Sequence, residues 1–197
     1  TPTEEALPAL LITEIVPDTW NTEPLEARDV YDAYEFIEVF NTRSHAIDLE
    51  GKTVRFTQPD DATKNWTWSF PQGTVVGAKQ SLLVWIRPSG LSHLKPDGFN
   101  YFYYGFEEAR YVPESAIVAA DGANGLNNGG GLIELVDTDG TVLVSAAYGA
   151  GEFQEKKGIA YAYPMFGGTQ MRKAGTQQLG SPGIVEAAQL PREAGAD

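Results

Sequence analysis

The chain has no cysteine among its 197 residues. It therefore has no disulfide framework and no thiolate to serve as nucleophile or metal ligand. Histidine is scarce: His45 and His93 are the two present, both in polar, loop-like settings. A histidine base needs a buried orienting partner, and neither context offers one. Cations are few as well. Lys and Arg total 14 against 27 Asp and Glu, a net charge of -13. That balance repels nucleic acid and anionic membrane, so neither is expected as a partner. Basic residues stand singly except at Lys156-Lys157 and Arg172-Lys173. No apolar run approaches the ~20 residues of a membrane span. A 20–50-residue repeat, a heptad-patterned rod, a G-x-S-x-G elbow, a phosphate loop and an H-E-x-x-H helix are all missing. Gly129-Gly130-Gly131 leads into a strand-like run, whereas a phosphate cradle opens onto a helix. No signal peptide is visible, and the chain begins Thr1-Pro2, so a processed or excised piece is expected.

What is abundant is punctuation. Gly 21 and Pro 12 break the sequence into short apolar runs, which favours an all-β chain. Strands are predicted at 9–16, 34–41, 52–57, 65–70, 81–87, 100–105, 131–137, 141–148 and 158–163. In the fourth, Trp66, Trp68 and Phe70 alternate with Thr67 and Ser69, the period of a half-buried strand. Asp139-Gly140 predicts a two-residue hairpin turn between 131–137 and 141–148. Thr22–Ala33 has a capping Thr, an early Pro24 and acids in its first turn, and reads as a short helix or turn within an insert. A helical turn is also allowed near Phe106–Arg110.

Several motifs occur in a telling order. Leu10–Val16 (LLITEIV) opens the series, followed by Tyr34–Asn41 (YEFIEVFN) and by Asp48-Leu49-x-Gly51 leading into Lys52–Phe56. Trp68–Ile86 (WSFPQGTVVGAKQSLLVWI) joins an aromatic-x-Phe-Pro edge, a glycine-punctuated turn and an apolar strand carrying Trp85. Leu126–Asp139 (LNNGGGLIELVDTD) and Ser181-Pro182-Gly183 close the series. This set, spanning 10–183, resembles the lamin tail domain. The resemblance implies an immunoglobulin-like β-sandwich of the kind found in bacterial secreted and surface proteins, and a binding or accessory module rather than a catalyst. The departures are Lys52 in place of a usual Trp, an acidic insert at 17–33 and a long insert around 88–122. The expected division is a tail at 1–8, one sandwich with two inserts at 9–185 and a linker at 186–197.

Two glutamates stand out chemically. Glu14 is expected to share a strand face with Ile12 and Val16, and Glu38 with Phe36 and Phe40. A carboxylate in an apolar stripe is costly unless paired. One reading is an acid/base pair or a metal site. The other, which we prefer, is an ion pair to Arg55 or Arg87 or a water-open edge; the resemblance makes both positions scaffold. In the acidic insert, Asp18, Glu23, Glu26, Asp29, Asp32 and Glu35 are oxygen-rich, but no EF-hand spacing is present and no tight Ca²⁺ site is expected. Asp121–Gly125 and Asn127–Gly129 read as turns before they read as cation cradles. The run FNYFYYGF at 99–106 is weighed as sandwich packing against an exposed recognition surface, with packing preferred.

The functional expectation is thus a noncatalytic accessory or binding module of a larger exported bacterial protein, secreted or at the cell surface. No catalytic, cofactor or metal residues are assigned. The expected partner is a protein or cell-envelope ligand; by resemblance, such domains accompany fused hydrolase domains or sit in cell-surface proteins. The rivals are a carbohydrate-binding sandwich, which needs a solvent-facing aromatic row on one sheet, and a hydrolase using Glu14 and Glu38, which needs both in an open cleft.

Overall fold

The structure, a computed structural model, describes residues 8–19, 32–165 and 167–191. The strands are β1 (Leu10–Val16), β2 (Phe36–Asn41), β3 (Ile47–Asp48), β4 (Thr53–Thr57), β5 (Trp66–Ser69), β6 (Val75–Val76), β7 (Ser81–Arg87), β8 (Ile117–Asp121), β9 (Gly130–Val136), β10 (Val142–Gly149), β11 (Lys157–Ala162) and β12 (Arg172–Leu179); α1 is Pro96–Tyr104. A six-stranded sheet runs β12-β11-β1-β2-β7-β8, a four-stranded sheet β10-β9-β4-β5, and β3 pairs with β6. Only the β7–β8 pairing is parallel among these neighbours. The fold is a β-sandwich of the expected immunoglobulin-like class.

Strand alternation builds two cores. Inward residues Ile37, Val39, Leu82, Val84 and Ile86 meet Val54, Phe56, Ile133 and Leu135 between the sheets. The opposite faces of β2 and β7 carry Phe36, Leu83 and Trp85, and these join a second cluster with Phe99, Phe102, Tyr103 and Tyr104. The long insert therefore roofs the outer face of the six-stranded sheet. Trp66 and Phe70 are buried and Trp68 is half-buried, with Thr67 and Ser69 exposed between them, so the period-two reading of β5 holds.

The strand predicted at 100–105 is instead the end of helix α1. Aromatics favour strands intrinsically, but Phe99, Phe102 and Tyr103 are spaced three and four apart and so share one helical face. Pro96 sits in the first turn, where its missing N–H costs nothing, and the helix stops at Gly105. The turn allowed near 106–110 is a 3-10 turn at Glu108–Arg110. The helix or turn predicted at Thr22–Ala33 falls almost wholly outside the described residues.

The β9–β10 hairpin forms where predicted, with a different turn. Gly140 donates to Asp137 O at 3.0 Å, and Asp137 donates to Thr141 O at 2.8 Å. Gly140 has φ 89 while Asp139 is not in the positive-φ region. The loop is thus three residues with a glycine bulge, not a two-residue turn requiring positive φ twice. The predicted linker 186–197 is described as far as Pro191, and that part is docked. Ala187–Gln189 form a capped 3-10 turn, and Gln189 Nε2 donates to Thr13 O at 2.7 Å and Tyr161 O at 3.1 Å.

Candidate functional site

Glu14 and Glu38 are brought together as direct cross-strand partners of β1 and β2. A bulge at Thr13 sets their faces. Ile12 pairs with Val39 and Ile15 with Ile37, so both isoleucines face the inter-sheet core, and Glu14 points outward with Val16. The expectation that Glu14 shares a face with Ile12 is corrected by that extra residue.

Among the described residues neither glutamate meets an arginine. Arg55 pairs with Glu134 at 2.7 Å, and Arg87 with Asp121, whose Oδ2 accepts from Nη2 at 2.7 Å. The partners of the two buried carboxyls come from the Ser-Pro-Gly motif. Ser181 N–H donates to Glu14 Oε1 at 3.1 Å, and Gly183 N–H donates to Glu38 Oε2 at 2.6 Å. Thr13 Oγ1, in the bulge, donates to Glu38 Oε1 at 2.6 Å. Tyr104 OH, from α1, donates to Pro182 O at 2.6 Å and holds the segment from above. Gly183 is required twice over: its φ is +84, and a Cβ there would lie 2.9 Å from Val112 Cγ2.

Burial, then the charge of Glu38, raises the Glu14 carboxyl well above its ordinary value, against the Ser181 hydrogen bonds. Burial raises Glu38 to about 7, against hydrogen bonds from Thr13, Gly183 and Ser81. Raised carboxyl pKa values occur at catalytic acids, but also wherever desolvation is incompletely compensated. Access separates the cases. Glu14 is 3% exposed and Glu38 0%, beneath residues 181–183. An open groove of about 500 Å³ borders Gly183 together with Phe40, Lys79, Arg110, Tyr111 and Val185, and neither glutamate lines it. The pair works as an anchor for the C-terminal segment.

A third carboxyl, Glu35, is counted by sequence with the acidic insert. It is fully buried at the start of β2. Its Oε2 accepts from Leu126 N–H at 2.9 Å, and its Oε1 has no hydrogen-bond partner among the described residues. Burial and the nearby Asp32 raise it well above its ordinary range. The signal that could flag it is its place, one residue before a run of six strand residues that are all buried. Glu23, Glu26 and Asp29 lie outside the described residues. Among the described residues no three His, Asp or Glu are arranged to hold a metal. In the 121–125 loop, Gly122 and Gly125 take positive φ, which is turn geometry. His45 and His93 are exposed in bends and turns.

The aromatic run divides. Phe99, Phe102, Tyr103 and Tyr104 are buried, whereas Tyr101 is 44% and Phe106 88% exposed.

Residues 3–150 match the Lamin Tail Domain family. The chain is also 26% identical over 188 residues to the uncharacterized protein YvnB of Bacillus subtilis (strain 168), covering 94% of this chain and 14% of that protein. Among solved structures, a DUF4876 family protein from Bacteroides thetaiotaomicron superposes with a TM-score of 0.53 at 12% identity, covering 94% of this chain and 75% of that one. At that identity the likeness speaks to fold alone.

Proposed function

The chain belongs to the lamin tail domain family, and on that premise we propose that it is a noncatalytic accessory or binding module of a larger exported bacterial protein, secreted or at the cell surface. One observation carries the reading. The only carboxyl pair that the sequence put forward for acid/base chemistry is consumed in fixing Ser181-Pro182-Gly183. A glycosidase-type pair needs substrate between or beside its carboxyls, and here that space holds the protein's own backbone. The small share of YvnB that the chain covers, 14%, agrees with a module in a longer protein. A sandwich with no chemistry of its own contributes by presenting surfaces, and its partner is a protein or envelope ligand tethering an attached domain.

The carbohydrate-binding rival loses support from the exposed aromatics. Tyr101 and Phe106 sit on the insert with ring planes 78° apart, not in a flat row on a sheet. The test has two arms. Purified chain screened on phosphoester, ester and glycoside substrates is expected to give no turnover above background; turnover lost in folded Glu38→Gln would overturn the reading. A fluorescent fusion of the chain is expected to be retained on bacterial cell-envelope preparations, and free passage through them would count against tethering.

A further inference from the structure

Several aromatic rings of this protein lie under its own cations. Arg87 lies 5.1 Å from the Trp85 ring centroid, Arg110 4.5 Å from Tyr104, Lys156 4.8 Å from Phe102 and Arg172 5.0 Å from Tyr163. Tyr101 and Phe106 have no such cation among the described residues. They are also two of the most exposed large apolar side chains, and they touch each other at 5.3 Å between centroids, near a right angle. Single exposed apolar residues are ordinary, but two rings set as an open corner form a preorganised contact surface.

The corner is held in place. Tyr101 projects from α1, and Phe106 follows the helix end. Tyr111 OH donates to Gly105 O at 2.6 Å and so pins the backbone immediately before Phe106. The surroundings are acidic. Asp97 lies one helical turn before Tyr101, and Glu107 and Glu108 follow Phe106; all three are exposed. Glu107 pairs with Arg110 at 3.3 Å, while Asp97 and Glu108 have no ion pair among the described residues. Burial and the charges of Glu108 and Asp97 hold the Tyr111 phenol above its ordinary value.

We propose that the Tyr101–Phe106 corner receives a Lys or Arg side chain from a basic segment of a partner protein. The chemistry selects this class. An aliphatic stem covers apolar ring surface while its charged end meets the negative ring faces and carboxylates. An anionic partner would be repelled by Asp97, Glu108 and the net charge of -13. The long insert around 88–122, a departure from the family's pattern, is then the element that gives this module its own partner. The inference rests on the binding-module reading.

The probe is a fluorescein-labelled peptide of about twelve residues alternating Lys and Gly, with a control in which Gln replaces Lys, read by fluorescence anisotropy at low and moderate salt. The Lys peptide is expected to bind and the Gln peptide not. Phe106→Ala leaves the net charge unchanged and is expected to weaken binding about 5–20-fold. Tyr101→Ala should weaken it similarly, with Tyr101→Phe retaining most affinity. Both side chains are exposed, so folding is not at stake. Equal affinity of Phe106→Ala and wild type would mean that bulk charge alone attracts the peptide, and would overturn the inference. So would absence of binding by the Lys peptide, or equal binding by the Gln peptide. Envelope retention of the fluorescent fusion reports separately. Retention indifferent to Phe106→Ala leaves the module reading standing without this site; no retention in wild type removes the module reading itself.

Discussion

Gly183 shows how little freedom the anchoring segment has. Its N–H must reach the Glu38 carboxyl at 2.6 Å while its Cα passes Val112. A side chain there meets two costs, the left-handed backbone and the contact at 2.9 Å. Gly183→Ala is expected to destabilise by roughly 2–4 kcal/mol, the left-handed conformation accounting for about 1–2 of it. Gly73 provides the control: its φ is +77, but an added Cβ would meet nothing within 4 Å. Gly73→Ala should therefore cost only the backbone share. Chemical denaturation midpoints of the two variants check this, and equal losses would show that the Val112 contact is immaterial. The residue scale is also where the sequence is least legible. Glu14 and Glu38 are visible as anomalies, because carboxyls in apolar stripes are rare. Their partners are not, because backbone N–H groups some 145 to 167 positions away leave no side-chain signature.

At the scale of elements, β7 serves two cores, and each alternate residue belongs to a different one. Leu83 and Trp85 pack under α1, whereas Leu82, Val84 and Ile86 pack between the sheets. Leu83→Ala, at a position 0% exposed, is expected to cost about 2–5 kcal/mol. Its location makes a sharper expectation. Amide exchange should accelerate in α1 (Pro96–Tyr104), with β9 and β10 changing less. Val84→Ala should do the reverse. Acceleration confined to the β9–β10 hairpin in Leu83→Ala would show the two-core description to be wrong. Strands with alternation or a dense apolar run, such as β5 and β7, are legible from sequence because burial follows the pleat. Strand β12 is not, since nearly every one of its eight residues is exposed and no period survives. Helix α1 misleads for the opposite reason: its residues have strand propensity, and tertiary packing on Phe36, Leu83 and Trp85 overrides it.

For the molecule as a whole, three buried carboxyls set an unusual pH response. Glu14, Glu35 and Glu38 all keep their protons more tightly folded than unfolded. Their favourable contribution is complete below the ordinary glutamate value and is lost as pH rises through the folded value. For Glu38 that window runs from about 4.5 to about 7. Across it the unfolded chain has released a proton that the folded chain retains, so stability falls by up to ~1.4 kcal/mol per pH unit per group. Asp137 acts in the opposite sense: its hydrogen bond from Lys52 lowers it, so its contribution is lost as pH falls through its folded value. Self-repulsion within a chain of net charge -13 adds to the alkaline loss. Unfolding free energy is therefore expected to be higher near pH 5 than near pH 8, with Glu38 alone accounting for something on the order of 2–3 kcal/mol. Glu38→Gln separates the local effect from the global one. Its amide oxygen can still accept from Gly183, and Thr13 Oγ1 can turn to accept from the amide nitrogen, so the anchor survives while the titration does not. Denaturant unfolding of wild type and Glu38→Gln between pH 5 and 8 should give a visibly flatter profile for the variant. Parallel profiles would mean that Glu38 is charged throughout, and that the strap over β1 and β2 is held by an ionised pair after all.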